Sequence, residues 1–582
     1  MASHKEGKLA LIIFAVAIFF SYTHPYHIHP HRTFYHDLIA CLGLISSMVY
    51  FVVSRPAPLP GHSATLHLRL PFLLALPLGI VLVILLQILL GMISPATLAG
   101  IPVMYLLLFA VALIFGASLA LDTARIERAV SAIALAHVLA AAVSLVFQHV
   151  QIMGLDATPV VMYMAKSPHA ALRPFANVAQ PNQLALLYFF ALAGLWYFYR
   201  AGKLPPVVCS IIAALLLWGT VLTQSRIGWI LVPLFFAYTV GTLGQQGKRK
   251  HTAIAVLAAL MLLYLALILL LPQISQAIGF DAVSVTEHVG GRSERTGLWQ
   301  AAWQLAAQHP WLGTGWFGYG VGQVSVASLF ASSTYAEHAH NLPLNLATEL
   351  GWPAAIIIMT GLCWWFYQTC LKPAKSLALQ FCSLCFFAVG VHSMVEFPLW
   401  YAFVLLPVGV MMGLVHQMHW PDAGTIVKPG VVLAAYVCAF LVMAGIILDY
   451  QRVVGGFKAL RVVQQGMRTD ENFLRKPDFT LFPQFFEYFK LTRIKPREGM
   501  SAEEIAYVES WSPRFGFVHI LNLQAEVYVL NGQPKKAAHT LLTLQRLHPI
   551  PYPEYYDYWK AKGGEDPRYQ AVFETMPARD AP

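Results

Sequence analysis

The sequence predicts an all-α, polytopic membrane protein of about thirteen transmembrane helices, followed by a soluble C-terminal α-helical domain. Of its 582 residues, 58% are apolar and only 11% are charged, whereas soluble domains carry about 25% charged residues. The apolar residues form runs close to the roughly 20 residues that a helix needs to cross a bilayer. The charged residues are concentrated at the C-terminal end. This composition excludes an ordinary soluble enzyme, a disordered protein and a fibrous protein.

The apolar runs define the predicted transmembrane segments one by one. The first run follows Lys5 and Lys8, as in a signal peptide, but no small-residue cleavage site follows it, so we expect an uncleaved anchor. The cysteines all lie inside apolar runs and imply no disulfide framework. The predicted segments are 9–22, 37–54, 70–92, 100–120, 129–150, 183–199, 205–222, 227–244, 252–272, 352–371, 377–394, 399–419 and 430–448.

The basic residues predict the orientation of these segments. With the N-terminus in the cytoplasm, fourteen Lys and Arg residues before residue 449 lie inside and six lie outside, which is the positive-inside pattern. The formal net charge of +10 therefore mostly anchors the topology among membrane lipids and does not indicate a nucleic-acid partner. Thirteen crossings leave the C-terminal region outside.

Two domains are predicted from composition. Residues 1–448 form the transmembrane domain, and residues 449–582 form a soluble domain with 18 of the 38 Lys and Arg and 16 of the 28 Asp and Glu. Within the soluble domain, residues 517–547 indicate a pair of helices, either a tetratricopeptide-like unit or a plain helical hairpin. The aromatic stretch at 481–489 fits the membrane surface or a domain core equally well.

Unusual polar residues of the membrane half fall mostly on the outer side, where two long loops are predicted at about 151–182 and 273–351. Long loops are often functional, and ionisable residues at membrane depth are costly. Any one of these residues could simply face water, but five loops that converge on one face indicate a site. The residues are Arg173, Arg226, Arg292, Arg295, His338, His340, Glu396 and Tyr401.

These residue types favour a particular chemistry. Guanidinium groups match the oxygens of phosphate and pyrophosphate, and a pyrophosphate with a lipid tail suits an apolar protein. The sequence contains no Asp-x-Asp pair to hold a divalent ion, so we expect neither a metal site nor another cofactor. A histidine, with an ordinary pKa of about 6.5, can act as a base. Together they predict group transfer from a lipid pyrophosphate to a hydroxyl.

Several motifs resemble those of the O-antigen ligase and polymerase superfamily. "HNLPLNLATELGWPA" is similar to its His-Asn signature, with His340, Asn341 and Gly351 in register. "TQSRIGW" resembles its Thr-x-Ser-Arg motif, "RTGLW" its Arg-x-x-x-Trp motif, and "RPFANVAQPNQLA" its Arg…Asn-Pro-Asn segment, with Gln180 where asparagine is commoner. "HPYHIHPHRTFYHD", "VEFPLWYAFVLLPVG" and the soluble domain resemble one branch, the PglL-type protein O-oligosaccharyltransferases.

The resemblance implies a GT-C-like ligase of the bacterial inner membrane, with its active site and C-terminal domain in the periplasm. Such an enzyme moves a glycan from undecaprenyl pyrophosphate to Ser or Thr of an acceptor protein such as pilin, by a direct, inverting, metal-independent transfer. His340 would be the base, and Arg226, Arg295 and Arg173 would bind the donor pyrophosphate; Arg292 is the alternative to Arg295. The residues implied to position the substrates are Gln180, Asn182, Asn341, Glu396 and Tyr401.

Other interpretations of the sequence remain open. An O-antigen ligase acting on lipid A–core and a polymerase that extends the glycan are the closest alternatives, and a lipid or sugar transporter is the alternative from another class. Transporters usually carry polar residues at the midplane and inverted repeats, which this sequence lacks. The histidines between His24 and His36 could bind zinc or play a structural part. Glu349 could orient the site or cap a helix.

Overall fold

The computed structural model describes residues 3–54, 66–120, 122–165, 172–243, 247–282, 294–330, 334–372, 376–421, 425–427 and 429–580. The first half of the described chain is helical in nine segments, and a short antiparallel ladder joins strands β1 (Leu66–Leu68) and β2 (Thr425–Val427). These helices are α1 (Ser3–Thr23), α2 (Phe34–Val53), α3 (Ala75–Leu89), α4 (Gly100–Leu119), α5 (Thr123–Ile152), α6 (Pro181–Arg200), α7 (Pro206–Leu222), α8 (Ile227–Thr242) and α9 (Gly247–Ala277).

The second half of the described chain is helical as well. Short 3₁₀ turns add to these helices, among them Ala327–Leu329 and Pro398–Trp400. The helices are α10 (Glu294–Gln308), α11 (Tyr319–Val326), α12 (Leu342–Leu350), α13 (Trp352–Phe366), α14 (Leu377–Ser393), α15 (Ala402–His419), α16 (Pro429–Gln464), α17 (Pro483–Leu491), α18 (Ala502–Phe515), α19 (Val518–Leu530), α20 (Pro534–Leu547), α21 (Tyr552–Glu565) and α22 (Pro567–Phe573).

Each predicted transmembrane segment coincides with a helix. In the described part of the chain, eight helices are long and apolar enough to cross a membrane, and four shorter helices, α1, α7, α8 and α14, are apolar as well. The all-helical, polytopic class is therefore confirmed, while the exact number of crossings stays a prediction. Helices α9, α13 and α16 expose large apolar side chains such as Leu269, Ile357 and Leu441, as expected of faces that contact lipid.

Helix α6 forms the centre of the bundle. Almost every side chain between Gln183 and Phe198 is buried, because α5, α7 and α14 pack around it. A helix that is apolar on all sides needs such surroundings. Its first turn therefore starts from a fixed position, and that turn carries one of the residues of the candidate site.

Small residues allow α4 and α15 to form the most extensive contact of any helix pair in the described chain. A Cβ at Gly116 would collide with the backbone of Val410, and a Cβ at Gly413 would collide with the backbone of Leu113. Gly409 lies one turn before Gly413 and packs on the same helix. Small residues four apart are typical of tightly packed membrane helices.

The C-terminal domain does not begin at a break in the chain. Helix α16 continues through residue 449, the predicted domain boundary, to Gln464. The predicted helix pair forms as α19 and α20, which pack on each other. In the aromatic stretch at 481–489, Phe486 and Phe489 are buried in the core that includes the bundle, which favours the core interpretation over the membrane surface.

The C-terminal domain shares its core with the loop region before α12. Val324 of α11 and Ala327 of the following turn are buried in the same apolar cluster as Leu521 of α19 and Leu544 of α20. Helix α11 also packs on α18. The C-terminal helices therefore cover the segment of chain that leads to α12.

Gly413→Val tests the close contact between α4 and α15. Overpacking a filled interface costs about 1–3 kcal/mol, so we expect less folded protein in the membrane and a lower thermal midpoint in detergent. Gly241→Val is the matched control, because a Cβ at Gly241 meets no other atom within 4 Å. Equal yields and equal midpoints for the two variants would contradict the packing described above.

Candidate active site

Five segments of the chain meet at one end of the bundle. The start of α6 carries Asn182, the turn between α7 and α8 carries Ser225, and the start of α10 carries Arg295. His340 lies just before α12, and Glu396 lies in the connection between α14 and α15. Side-chain hydrogen bonds join them directly. The convergence that the sequence predicts is thus present in the folded chain.

Glu396 is the centre of this arrangement. Its side chain is buried, with the residue only 5% exposed. Oε1 accepts hydrogen bonds from Arg295 Nη2 at 2.6 Å and from Asn182 Nδ2 at 2.8 Å. Oε2 lies 3.3 Å from His340 Nδ1. A buried carboxylate needs such partners to offset its lost hydration, so Glu396 holds a cation, an amide and an imidazole in fixed positions.

Asn182 extends the network toward a second arginine. Its Oδ1 accepts hydrogen bonds from Arg173 Nη2 at 3.2 Å and from Ser225 Oγ at 2.7 Å. Arg173 also donates through Nε to the carbonyl of Thr223 at 3.1 Å. One amide therefore links the carboxylate of Glu396 to the guanidinium of Arg173 and to the turn that carries Arg226.

Three guanidinium groups lie close enough to influence one another. Burial lowers the pKa of Arg173, the charges of Arg226 and Arg295 lower it further, and the charge of Glu396 opposes the effect. Arg226 is exposed at the N-terminal end of α8. Arg295 is held in place by a second bond, from Nε to the carbonyl of Val395 at 2.8 Å. A cluster of positive charge of this kind attracts an anion.

Unusual backbone conformations surround the site. In the described chain, the non-glycine residues with positive φ all lie in the loops that build the site or in the segment packed beside it. At His340, φ is +52°, a left-handed conformation that costs a non-glycine residue free energy. Strain of this type persists only where the surroundings fix it. The other residues with positive φ are Ala176, Ala179, Gln224 and Phe317.

The residues on either side of His340 are fixed by hydrogen bonds. Asn341 caps α12, because its Oδ1 accepts a bond from the N–H of Leu344 at 3.0 Å. Its Nδ2 donates to the carbonyl of Met394 at 3.0 Å, which ties the start of α12 to the connection that bears Glu396. On the other side, the N–H of Ala339 donates to Asn345 Oδ1 at 2.9 Å. These bonds fix the backbone on both sides of His340, and the predicted role of Asn341 in positioning a substrate stays a prediction.

His338 has different surroundings. It is buried, and its ring centre lies 5.0–5.8 Å from those of Phe317, Phe397 and Trp400. Burial lowers its pKa to about 3, so at neutral pH it is a poor base. The ring centres of Phe397 and His340 are 4.8 Å apart, so the Phe397 ring packs against both histidines.

The remaining predicted residues lie at the edge of the network. Gln180 is the N-cap of α6, with its Oε1 accepting the N–H of Gln183 at 2.6 Å. Tyr401 begins α15, and its ring stacks on Phe397 at 5.8 Å. Arg292, the alternative to Arg295, lies outside the described residues. Their predicted roles toward a substrate stay predictions.

Glu349 and the histidine cluster are not part of the network. The buried carboxyl of Glu349 faces the backbone N–H groups of Phe317 and Tyr319, and burial raises its pKa to about 8. The rings of His24, His27 and His36 pack together, with centres 4.2–5.3 Å apart. Nowhere in the described residues do three or more His, Cys, Asp or Glu form a group suited to a metal ion.

Sequence reasoning missed the residues that hold the first long loop. Gln151, near the end of α5, donates to the carbonyls of Met162 and Ala176. Asn177 donates to the carbonyl of Thr23 at the end of α1 at 3.1 Å. The polar residues Gln148, His149 and Gln151, which follow one another at the end of a long apolar run, are a signal that identifies Gln151, whereas Asn177 can be recognised only from the fold.

Gln180 offers a test of the cap on α6. Loss of an N-cap costs about 1 kcal/mol, so Gln180→Ala should lower the midpoint of thermal unfolding in detergent. Gln180→Ser should keep a midpoint close to that of the original protein, because serine is a good N-cap. Equal midpoints for the alanine variant and the original protein would show that the cap does not stabilise this helix.

Comparisons with known proteins agree with this geometry. Residues 211–359 match a family model described as O-Antigen ligase, and residues 380–562 match one described as virulence factor membrane-bound polymerase, C-terminal. The chain is 27% identical to a general O-oligosaccharyltransferase of Acinetobacter baylyi over 561 residues, which are 94% of this chain and 93% of that protein. It is 28% identical to a ComP-specific O-oligosaccharyltransferase of the same organism over 254 residues, 42% of this chain and 44% of that protein.

The matched regions contain most of the candidate site, whereas Arg173 and Asn182 lie before them. The O-antigen ligase match includes Arg226, Arg295 and His340, and the polymerase match includes Glu396 and most of the C-terminal helices. The similarity to the general O-oligosaccharyltransferase extends over nearly the whole chain. The chain is therefore similar to the O-antigen ligases in its central region and to an O-oligosaccharyltransferase over nearly its whole length, and both findings support a PglL-type O-oligosaccharyltransferase of the ligase superfamily.

Proposed function

We propose that the protein transfers an oligosaccharide en bloc from undecaprenyl pyrophosphate to Ser or Thr hydroxyls of periplasmic proteins such as type IV pilin. The observation that carries this proposal is the buried carboxylate of Glu396, which contacts His340 on one side and Arg295 on the other. A base and a pyrophosphate-binding cation are thereby held at one place. In this topology the site and the C-terminal domain face the periplasm from the inner membrane.

His340 would be the general base. The carboxylate of Glu396 accepts a hydrogen bond from Nδ1–H, which leaves Nε2 with the lone pair that takes up a proton. As this proton leaves the acceptor hydroxyl, the hydroxyl oxygen attacks the anomeric carbon of the first sugar. The bond between that carbon and the pyrophosphate oxygen breaks, and the configuration is inverted.

The arginines would stabilise the leaving group. Undecaprenyl pyrophosphate departs with the electrons of the broken bond, so negative charge on its phosphates increases in the transition state. Preorganised guanidinium groups lower the free energy of that state. Arg226 and Arg295 would contact the phosphates, and Arg173 would add a third positive charge beside them. The chain supplies this charge through its own side chains and needs no metal ion in this mechanism.

An apolar cavity beside the site supports a lipid-linked donor. Its volume is about 1130 Å³, and it is lined by Phe397 and His338 near the site and by Ile80, Met104 and Ile358 of the bundle. Transfer of a polyprenyl tail from water into an apolar cavity is favourable, because each buried methylene lowers the free energy. The cavity would therefore bind the first isoprene units of the lipid tail while the arginines bind the pyrophosphate.

Two observations favour a protein as the acceptor. The relatives with similar sequences are named as O-oligosaccharyltransferases, one of them specific for ComP. The chain also carries a C-terminal helical domain whose α19–α20 pair resembles repeat units that bind peptides. We therefore expect this domain to help hold an acceptor protein near the site.

An O-antigen ligase is the second candidate, favoured by the description of the model that matches residues 211–359. Mass spectrometry of pilin and other periplasmic proteins, from cells with and without this gene, separates the two. Glycopeptides that depend on the gene support the protein transferase. A change confined to lipopolysaccharide would replace the proposal with the ligase.

His340→Ala tests the base. A general base contributes about 10²–10⁴-fold, so we expect transfer to a purified acceptor to fall by that factor while binding of the lipid-linked donor persists. His338→Gln is the matched control and should matter much less, because His338 does not contact Glu396 and lies among aromatic rings. Near-normal glycosylation by His340→Ala would remove His340 from the mechanism.

Arg226→Lys and Arg295→Lys test the grip on pyrophosphate. Each keeps its positive charge but loses the planar fork that binds two oxygens at once, so both variants should raise the donor KM and lower kcat. Transfer by the original protein should be unchanged when EDTA is added. Activity that disappears on chelation and returns with Mg²⁺ or Mn²⁺ would overturn the metal-independent mechanism.

A further inference from the structure

The segment that leads to His340 is attached to the C-terminal domain through Tyr335. The hydroxyl of Tyr335 donates to the carbonyl of Arg514 at the end of α18, at 3.1 Å. Its backbone N–H donates to the carbonyl of Leu547 at the end of α20, at 3.3 Å. One residue, five positions before His340, therefore bonds to two separate helices of the C-terminal domain.

The ring of Tyr335 lies in a close-fitting seat on that domain. Its centre is 6.0 Å from that of Phe517 and 6.3 Å from that of His548. Gly516 forms the floor of the seat: its φ is +50°, and a Cβ at this position would collide with the Tyr335 ring. His548 Nε2 donates to the carbonyl of Gly516 at 2.6 Å, so the turn that forms the seat is itself fixed.

The same segment is held from the other side by α11. The amide of Gln323, which is buried, donates to the carbonyl of Thr334 at 3.0 Å and accepts from the N–H of Ala336 at 2.9 Å. Gly320 allows the close approach, since a Cβ there would lie 3.1 Å from the Tyr335 hydroxyl. Residues 334–336 are thus fixed between α11 and the C-terminal domain, so only residues 337–339 separate a fixed segment from His340.

We propose that Tyr335 is a positioning residue through which the C-terminal domain sets the location of His340. The inference rests on the function proposed above. His340 holds a strained φ of +52°, which relaxes unless both sides of the residue are anchored. Asn341 anchors one side at Met394. On the other side Ala339 is bonded to Asn345, and Tyr335 anchors the segment that leads to Ala339. Release of Tyr335 puts the whole load of this segment on the single bond of Ala339, which lets the imidazole move away from Glu396 while the arginines stay in place.

The experiment uses the full-length protein, purified in detergent, with a synthetic polyprenyl-pyrophosphate oligosaccharide and a purified pilin-type acceptor. Tyr335→Ala should lower kcat on the order of 10- to 100-fold, because a shift of about 1 Å in a catalytic group costs up to that much. Its donor KM should change by a smaller factor than kcat, since the arginines are untouched, although Tyr335 also lines the apolar cavity proposed for the donor lipid. Tyr335→Phe keeps the ring and loses one neutral hydrogen bond, so its kcat should recover to within about fivefold of the original protein.

A second variant displaces the ring without altering it. Gly516→Ala introduces a Cβ that collides with the Tyr335 ring and should reproduce the loss of kcat. Tyr558→Ala is the control: Tyr558 is a half-exposed tyrosine of the same domain whose hydroxyl donates to Glu526 at 2.7 Å, away from residues 334–341. It should leave both kcat and donor KM unchanged.

The outcomes distinguish this inference from the proposed function. A folded Tyr335→Ala or Gly516→Ala protein with normal kcat overturns the positioning role, and so does a rise in donor KM with kcat unchanged. If the Tyr335→Ala protein does not insert into the membrane, the kcat of Gly516→Ala alone tests the positioning role. An active His340→Ala variant defeats the proposed function itself, whereas an inactive His340→Ala beside a fully active Tyr335→Ala defeats only this inference. Deletion of residues 456–582 is less informative, because it cuts α16 and uncovers Val324.

Discussion

The carboxylate of Glu396 is the interaction on which the rest of the site depends. A carboxylate that is only 5% exposed is costly unless opposite charge and hydrogen bonds compensate for its lost hydration. Here the compensation comes from Arg295, Asn182 and His340, each on a different segment of the chain. No one of these segments can move far without leaving the carboxylate short of a partner. The position of each catalytic group therefore depends on how the loops pack around Glu396.

The bundle supplies the rigidity that this network requires. Asn182 belongs to the first turn of α6, whose remaining length is buried among other helices. Glu396 lies between α14 and α15, and α15 packs backbone to backbone on α4 through small residues. Polar groups at the ends of well-packed helices keep their positions better than groups on long unsupported loops. The strained residues, including His340, persist because these supports surround them.

Much of the fold could be predicted, because the length of an apolar run reflects membrane thickness directly. Every predicted segment fell on a helix. The domain boundary at residue 449 was drawn from a change in composition, but helix α16 crosses it, since a helix can pass from an apolar to a polar environment without interruption. The membership of Val324 in the C-terminal core could not be predicted, because no local pattern records a contact with a distant helix.

The site was predictable as a set of residues but not as a network. The types of side chain on one face indicate Arg295, His340 and Glu396, but a sequence does not show that Arg295 and His340 share the buried carboxylate of Glu396. The role of Gln180 toward a substrate stays a prediction, while the cap that its Oε1 forms on α6 depends on backbone geometry, which the motif does not record. The anchor at Tyr335 depends on the turn at Gly516, far along the chain and without any motif.

The shared core of α11 and the C-terminal helices has a consequence for biogenesis. A ribosome makes α11 long before it makes α19 and α20, and domains fold as their residues become available. Val324 and Ala327 therefore stay exposed until Leu521 and Leu544 have been synthesised and pack on them. The segment before α12 settles only when nearly the entire polypeptide has been made. A nascent or prematurely ended chain thus carries all the residues of the site in an unfinished form, and completion of the polypeptide is itself the step that assembles the site.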